Sequence, residues 1–291
     1  MPELPEVETT ARGLNQKVLN RAFLGLWTDA EKLFKKPKSL NDFKKGIKGR
    51  RIVRVWRKAK NVIFELSEGY SLLIHQKMTG HLLVGKWVLK DNIWKPVDKG
   101  PLNDPYNRFI HIIFFFDNGS MMALSDLRKF AKVELWRTKE LLNSKEFSSL
   151  GPEPLEKSFT FEKFKDVLKN KRGKIKAILM KPEIIAGIGN IYSDEALWRA
   201  KINPLKDVSK LKNSELKNLY TSIIKVLKKG VELGGESFSD YRKPDGTKGD
   251  FDDERKAYKR AGERCLRCKK AIIKRIKING RSACFCPKCQ P

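Results

Sequence analysis

The sequence predicts an α+β protein with a β-rich first part led by a helix and a helical second part that ends in a four-cysteine zinc finger. Three observations predict this class. Short β-type runs separated by hairpin signals fill much of the chain between residues 51 and 124. Beyond residue 155, apolar residues recur three or four positions apart, which is the helical period. Two Cys-x2-Cys pairs stand close together near the end of the sequence.

The first element is a helix predicted from Pro5 to about Val18. Val7, Ala11 and Leu14 lie near one face of it. A proline suits the first helical position, because its missing N–H group has no partner to lose there. The acidic residues of the first turn stabilise the positive end of the helix dipole. Both features indicate that the helix begins close to the start of the sequence.

The residues just before this helix carry reactive groups. If Met1 is removed, the ring nitrogen of Pro2 becomes a secondary amine with an α-amino pKa of about 8. A fraction of it is then unprotonated near neutral pH and can attack an electrophilic carbon to form an iminium. Glu3 could donate or accept a proton beside it. The alternative is a disordered terminus that only leads into the helix.

The β-rich part follows the helix. Glu68-Gly69 and Asn118-Gly119 are hairpin signals between apolar runs. The predicted strands are 51–56, 62–66, 71–74, 109–116 and 120–124. Residues 1–135 therefore predict one mostly antiparallel β domain. Residues 136–154, which end in Gly-Pro-Glu-Pro, predict the linker that follows it.

The helical part is predicted to comprise residues 155–253. A glycine-rich turn, Ala186–Asn190, precedes the third helix, and a polar stretch from 236 to 253 predicts a loop. The predicted helices are 161–169, 174–179, 191–200 and 209–233.

The last part, residues 254–291, contains a predicted metal site. Seventeen residues separate two Cys-x2-Cys pairs, Cys265 with Cys268 and Cys286 with Cys289. This spacing is typical of a zinc bound by four thiolates, and a filled ligand set makes the ion structural. Two disulfides are the disfavoured alternative. The residues between the pairs predict a β-hairpin that turns at Asn279-Gly280.

Two side chains of this hairpin have separate predictions. Cys284 is left over and is expected to be a buried thiol rather than a ligand. Arg281 lies just beyond the turn, where a rigid hairpin could present it to a phosphate. An ordinary solvated arginine is the alternative for that position.

The charge of the chain indicates the kind of partner. Its 291 residues include 62 Lys and Arg against 34 Asp and Glu, a net charge of +28 that is spread along the sequence. A folded protein this basic needs a polyanion, and nucleic acid is the leading candidate, although a membrane surface or a ribosome could satisfy the same charge. The strongest apolar run, 109–116, is too short to span a bilayer. The acidic first residues do not resemble a signal peptide, so we expect a cytoplasmic protein.

Three motifs in order, PELPEVE, AGIGNIYSDEAL and GRSACFCPKCQ, resemble the formamidopyrimidine-DNA glycosylase family, whose members excise oxidised bases. The likeness extends over essentially the whole length. It implies an N-terminal β-sandwich, then a helix–two-turn–helix DNA-binding domain with a loop over the flipped base, then a zinc finger. It also implies one structural Zn²⁺ and no catalytic cofactor. The implied partner is damaged double-stranded DNA, bound by a monomer in the bacterial cytoplasm, at the nucleoid, without a membrane.

The resemblance implies a catalytic role for four residues. Pro2 attacks C1′ of the damaged nucleotide, and Glu3 moves protons around the sugar. Base release leaves a Schiff base, and β- and δ-elimination then cut the strand on both sides. Lys60 matches the strand lysine that helps the phosphate and elimination steps, and Arg281 matches the zinc-finger arginine that grips the phosphates.

Further residues are implied to bind DNA. Base extrusion leaves a hole in the base stack, and side chains must fill it. The matching residues are Met78, Arg128 and Phe130 for the hole, and Asn190 and Lys171 for phosphates. Phe109 occupies the position where the family often has a DNA-contacting histidine. His111, two residues on, is the candidate for that contact, and a strand histidine without such a role is the alternative. Leu127 and Ala131 replace the usual proline and glycine around Arg128, which affects the predicted shape of that loop.

Three functions remain as alternatives at this stage. Leu4 and the Gly280–Ser282 segment favour an enzyme for oxidised purines such as 8-oxoguanine and formamidopyrimidines, with both glycosylase and lyase activity. An endonuclease VIII-like enzyme for oxidised pyrimidines is the second alternative. A non-catalytic zinc-dependent DNA-binding protein is the third, and it predicts salt-sensitive binding without a preference for lesions.

Overall fold

The computed structural model of this chain describes residues 1–237 and 240–291. They form two compact units. Unit 1 comprises Met1–Ser148 and Leu233–Asp250, and unit 2 comprises Ser149–Glu232 and Phe251–Pro291. Residues 233–250, which the sequence analysis assigns to the helical part, thus pack with the β-rich unit. No helix in these two described stretches is both long and apolar enough to cross a membrane.

Unit 1 consists of two sheets and a set of helices. Its helices are α1 (Leu4–Val18), α2 (Leu40–Ile47), α3 (Thr138–Leu142) and α4 (Lys145–Ser148). Its strands are β1 (Phe23–Thr28), β2 (Phe34–Lys36), β3 (Ile52–Lys58), β4 (Asn61–Leu66), β5 (Tyr70–His75), β6 (His81–Gly85), β7 (Trp87–Lys90), β8 (Ile93–Pro96), β9 (Ile110–Phe116), β10 (Met121–Ser125) and β11 (Lys132–Arg137). One sheet has the order β1-β9-β10-β6 and the other β2-β11-β5-β4-β3, while β7 and β8 form a separate hairpin.

The main core of unit 1 lies between the two sheets. Phe114 and Phe116 of β9 meet Phe64 of β4 in it, and Val7 and Leu14 of α1 close it. The run 110–116 is apolar at almost every position because both faces of β9 are covered. Alternate residues enter the main core, and Ile113 packs on the other face with Leu83 and Trp87. This packing confirms the predicted α+β class and the β-sandwich.

The predicted elements of this unit are confirmed with small shifts at their ends. Helix α1 runs from Leu4 to Val18, and the five predicted strands correspond to β3, β4, β5, β9 and β10. Both hairpin signals lie in turns, with positive φ at Glu68, Gly69 and Gly119. Strand β2, by contrast, pairs with β11 in parallel and could not be predicted from neighbouring residues.

Unit 2 is helical and ends in the zinc hairpin. Its elements are α5 (Phe161–Leu168), α6 (Ile175–Leu179), α7 (Asn190–Ala200), α8 (Asn213–Glu232), β12 (Lys274–Ile278) and β13 (Arg281–Phe285). Helix α8 begins four residues later than predicted, because residues 208–210 form a separate short 3-10 turn. The hairpin turns at Asn279 and Gly280, both with positive φ, as a two-residue Asn-Gly turn requires.

Candidate active site

Pro2 and Glu3 are buried at the start of α1. Glu3 caps this helix and is 2% exposed. Its N–H group donates to Glu6 Oε2 at 2.8 Å, one half of a reciprocal capping box between the two glutamates. The two predicted catalytic residues are therefore fixed to the first turn of a rigid helix. While Met1 is attached, the Pro2 nitrogen is an amide and has no nucleophilic lone pair.

Glu6 also holds the segment that resembles the loop over the flipped base. Its Oε1 accepts the N–H of Glu236 at 2.8 Å, and its carbonyl oxygen accepts the hydroxyl of Tyr241 at 3.0 Å. Phe238 and Ser239 of that loop lie outside the described residues. The sequence analysis missed Glu6 as a site residue. The only local sign of it is the acidic residue three positions after Glu3.

The N-terminus shares a cavity with two of the residues predicted to fill the hole in DNA. The cavity has a volume of about 480 Å³ and is lined by Met1, Met78 and Phe130. Met78 is 41% exposed and Phe130 49%, so both side chains are available to a ligand. The other polar lining residues are all basic: Lys32, Lys35, Lys77 and Lys129. This combination of apolar tips and cations suits a nucleic acid with one base displaced.

Lys60 lies in the turn between β3 and β4 rather than in a strand. The turn is linked to α1 through Arg57, whose Nε donates to Glu8 Oε2 at 2.8 Å and whose Nη1 donates to the carbonyl of Ala59 at 3.0 Å. Burial raises the pKa of Glu8, but the nearby Arg57 and Arg12 outweigh it and hold that pKa below its usual value. A charged Glu8 thus anchors the residue next to Lys60.

The loop that carries Arg128 and Phe130 takes its shape from Asp126, which is fully buried. Asp126 Oδ2 accepts the N–H groups of Phe130 and Ala131 at 2.7 and 2.8 Å. Its Oδ1 accepts the hydroxyl of Thr79, which links this loop to the turn carrying Met78. The guanidinium of Arg128 stacks on the ring of Phe130 at 4.5 Å. A buried carboxylate therefore organises this loop, in which Leu127 and Ala131 stand where the resemblance led us to expect proline and glycine.

Replacing Asp126 by Ala is expected to destabilise unit 1 by about 2–6 kcal/mol. The N–H groups of Phe130 and Ala131 lose their acceptor, and each buried N–H left without one costs about 1–3 kcal/mol. Urea unfolding provides the measurement, with Asp126→Asn as the matched control because it keeps one acceptor oxygen. Equal free energies of unfolding for the Ala variant and the parent protein would show that Asp126 does not stabilise the loop.

His81 lies just after the turn that carries Met78 and connects it to Asn107, whose side chain also binds Gly246. It is 1% exposed, and its Nε2 lies 2.9 Å from Asn107 Oδ1. The amide nitrogen of Asn107 donates to Pro101 O at 3.0 Å and to Gly246 O at 3.4 Å, so its oxygen faces the imidazole. Burial lowers the pKa of His81 to about 4 from 6.5. The imidazole is therefore neutral at neutral pH.

This neutral histidine predicts loss of stability in mild acid. Between pH 6.5 and about 4 the unfolded chain binds a proton that the folded chain refuses, so stability falls as pH decreases through that window. The full contribution is about 3 kcal/mol by order of magnitude. Urea unfolding at a series of pH values measures it. The His81→Gln variant should show a shallower pH dependence, and an unchanged dependence would contradict this role of His81.

His111 lies on β9 with its Nδ1 2.9 Å from Asp29 Oδ1. Asp29 also accepts from Lys129 Nζ at 3.3 Å, so this carboxylate joins the strand to the Arg128 loop. Phe109, just before the strand, lies under the guanidinium of Arg108 at 4.9 Å. A role of His111 in DNA binding remains a prediction.

In unit 2, Asn190 is the first residue of α7. Its Nδ2 donates to Ser282 Oγ at 3.2 Å, and its Oδ1 has no hydrogen-bond partner among residues 1–237 and 240–291. Lys171 is exposed after α5 and lines an open cavity of about 850 Å³. Lys165, Lys169 and Arg172 line the same cavity, which is basic although Asp166 also lines it. Phosphate contacts by Asn190 and Lys171 remain predictions.

The four predicted zinc ligands meet at one point. All four Sγ atoms lie within 4.8 Å of one another, with Cys265–Cys289 at 3.9 Å and Cys268–Cys286 at 3.8 Å. A tetrahedral ion with Zn–S bonds of about 2.3 Å requires sulfur separations of about 3.8 Å. These distances fit zinc and are too long for disulfides. Cys284 is buried and is not one of the four, and Arg281 is exposed at the start of β13.

Buried acids in unit 2, missed by the sequence analysis, fasten the helices to the zinc finger. Glu195 accepts the N–H groups of Lys256, Ala257 and Tyr258 at 2.8–2.9 Å. Burial raises the pKa of Glu195 above its usual value, and those three donors offset this only in part. Asp194 pairs with Lys176 at 2.5 Å. Both acids fall inside the AGIGNIYSDEAL motif, but nothing in the motif itself indicates which segments they contact.

The chain is similar to known proteins over its whole length. Three family models match the chain: the formamidopyrimidine-DNA glycosylase N-terminal domain over residues 1–133, the formamidopyrimidine-DNA glycosylase H2TH domain over 150–242, and the zinc finger found in FPG and IleRS over 262–291. Together these models cover most of the chain.

Whole-length relatives agree with the domain models. The formamidopyrimidine-DNA glycosylase of Pelotomaculum thermopropionicum is 37% identical, with 100% of this chain and 99% of the relative covered. That of Desulfitobacterium hafniense is 36% identical over the full length of both chains. The Lactococcus lactis Fpg in complex with abasic-site DNA matches with a TM-score of 0.85, 32% identity and 99% of both chains covered. This chain belongs to the formamidopyrimidine-DNA glycosylase family.

Proposed function

We propose that this chain excises oxidised purines from duplex DNA and cuts the strand at the resulting site, with the amine of Pro2 as nucleophile. The single observation that carries the proposal is the cavity of about 480 Å³ where Met1, Met78 and Phe130 meet four lysines. Met1 lines this cavity and is bonded to Pro2, so its removal would leave the new amine close to apolar side chains that can enter a base stack, which is what a base-flipping enzyme requires.

The chemistry begins once Met1 is removed. The Pro2 nitrogen forms a bond to C1′ of the damaged nucleotide while the bond from C1′ to the base breaks, and loss of the N–H proton and opening of the sugar give an iminium. Glu3, held at the start of α1, carries protons to and from the sugar. Loss of a C2′ proton then expels the 3′ phosphate, and a second elimination expels the 5′ phosphate.

The positive side chains hold the DNA backbone during these steps. Lys60 is proposed to act on the phosphate and elimination steps from a turn that Arg57 fixes to α1. In unit 2, Asn190 at a helix N-terminus and the exposed Arg281 are proposed to bind phosphates. Lys171 and His111 are proposed as further backbone contacts, with Arg128 beside the orphaned base.

The four cysteines are proposed to hold one structural zinc. When bound, the ion cross-links the two ends of the segment that carries the β12–β13 hairpin, and that rigidity presents Arg281. Two backbone N–H groups support thiolate ligands, since Ala271 donates to Cys268 Sγ at 3.5 Å and Cys289 to Cys286 Sγ at 3.4 Å. No step of the reaction passes through the metal.

One assay separates the three functions considered for this chain. Duplexes with 8-oxoguanine and with thymine glycol are incubated with the protein, and the cut ends are resolved on a denaturing gel. We expect preferential cleavage at 8-oxoguanine with phosphate left on both sides of the gap. Preference for thymine glycol supports the endonuclease VIII-like alternative. Binding without cleavage of either duplex, by protein proved to lack Met1, supports the non-catalytic alternative.

A further inference from the structure

A fully buried ion pair connects helices α6 and α7 to the zinc hairpin. Lys176 and Asp194 are each 1% exposed, and Lys176 Nζ donates to Asp194 Oδ1 at 2.5 Å. The same ammonium donates to the carbonyl of Ser282 at 2.7 Å. Asp194 Oδ2 accepts the N–H of Cys284 at 3.0 Å. The two charges therefore hold the backbone of β13 at two alternate residues.

The strand held in this way carries Arg281, next to Ser282. Asn190 lies one turn before Asp194 on α7, and its Nδ2 donates to Ser282 Oγ at 3.2 Å. The backbone of Ser282 is thus bound by Lys176 and its side chain by Asn190. Arg281 and the N-terminus of α7 keep a fixed separation because the side chains of Lys176 and Asn190 both bind Ser282, while Asp194 binds Cys284 on the same strand.

A gain in folding stability does not by itself explain why the protein buries this ion pair. Removing two charges from water is expensive, and apolar side chains of similar size often replace a buried pair without loss of stability. What apolar side chains cannot do is hydrogen-bond the carbonyl of Ser282 and the N–H of Cys284. The geometry of β13 is therefore the property that depends on these two charges.

We propose that Lys176 and Asp194 are positioning residues for phosphate binding, and that they act by holding Arg281 at a fixed place relative to Asn190. This inference rests on the proposed phosphate contact of Arg281. Neither residue of the pair touches the DNA, since both side chains are fully buried.

The test compares four proteins: the parent, Arg281→Ala, the pair variant Lys176→Met with Asp194→Leu, and all three substitutions together. Each is titrated with a duplex containing a tetrahydrofuran abasic analogue between about 50 and 200 mM salt. Each lost phosphate contact reduces the slope of log affinity against log salt by about one. We expect Arg281→Ala to lose about one unit of slope and about tenfold in affinity.

The pair variant should reproduce the loss of slope seen for Arg281→Ala, and the triple variant should show no further loss. A parental slope in the pair variant, or additive losses in the triple variant, would overturn the inference. If Arg281→Ala keeps the parental slope, Arg281 does not contact a phosphate. That result contradicts this part of the proposed function and overturns the inference with it.

Zinc content and melting temperature are measured for all four proteins, so that misfolding is recognised. If the pair variant does not fold, Asp194→Asn serves in its place, because its amide still accepts from Lys176 but can no longer accept from Cys284. A folded Asp194→Asn protein with full zinc content should lose part of the slope. An unchanged slope in that protein would contradict the inference equally.

Discussion

A chain that keeps Met1 is expected to bind lesion-containing duplex but to form no covalent intermediate and to cut no strand. The lone pair of an amide nitrogen is delocalised into the carbonyl, so acylated Pro2 cannot attack C1′. Insertion of one lysine between Met1 and Pro2 creates this state, because a large second residue prevents removal of Met1. Strand cleavage and borohydride trapping are compared with those of the processed parent protein.

The matched control for this experiment is Pro2→Gly, in which Met1 is still removed and a primary amine is exposed. It should still be trapped by borohydride, but more weakly, because the basicity and geometry of the amine differ. Mass spectra of the intact proteins confirm which of them lack Met1. Trapping of the lysine-insertion protein at the parental level would rule out the Pro2 amine as the nucleophile.

Loss of the zinc ligand set is expected to lower the affinity for duplex DNA by about a hundredfold or more. Structural zinc contributes about 10–16 kcal/mol to the folding of small zinc modules, as much as the total stability of a typical domain. Without it the hairpin that carries Arg281 unfolds, and two charge-assisted phosphate contacts already amount to about 3 kcal/mol. Cys268→Ser is the variant, with zinc content and binding affinity as the measurements.

Cys284→Ser is the matched control, because Cys284 is 4% exposed and is not one of the four clustered thiols. It should keep its zinc and most of its affinity for DNA. The zinc account is contradicted if Cys268→Ser retains both zinc and affinity, or if Cys284→Ser loses zinc to the same extent.

Local patterns were enough to predict much of the fold. Helix α1, the hairpins at Glu68-Gly69 and Asn279-Gly280, and the cysteine pairs each depend on residues a few positions apart. Strands β1, β6, β7, β8 and β11 were missed because their sequences show neither the hairpin dipeptides nor the clean alternation that predicted the others. The parallel pairing of β2 with β11 was missed because it depends on packing of distant segments.

The candidate site was likewise predicted only where it depends on residues close together in the sequence. The motifs indicated Pro2, Glu3 and the cysteines because each lies in a short recognisable stretch. The groups that hold these residues act over long separations in the chain. Glu6 meets Glu236 across 230 positions, and Lys176 meets Ser282 across 106. Asp126 holds the Arg128 loop through backbone N–H groups, which residue types alone cannot reveal.

Identification of the residue bound to the sugar decides whether the Pro2 amine is the nucleophile. Protein proved to lack Met1 is incubated with 8-oxoguanine duplex, reduced with borohydride and digested, and the modified peptide is sequenced by mass spectrometry. We expect the reduced sugar adduct on the N-terminal peptide, at the nitrogen of Pro2. An adduct on an internal lysine such as Lys60, or no adduct at all, would contradict it.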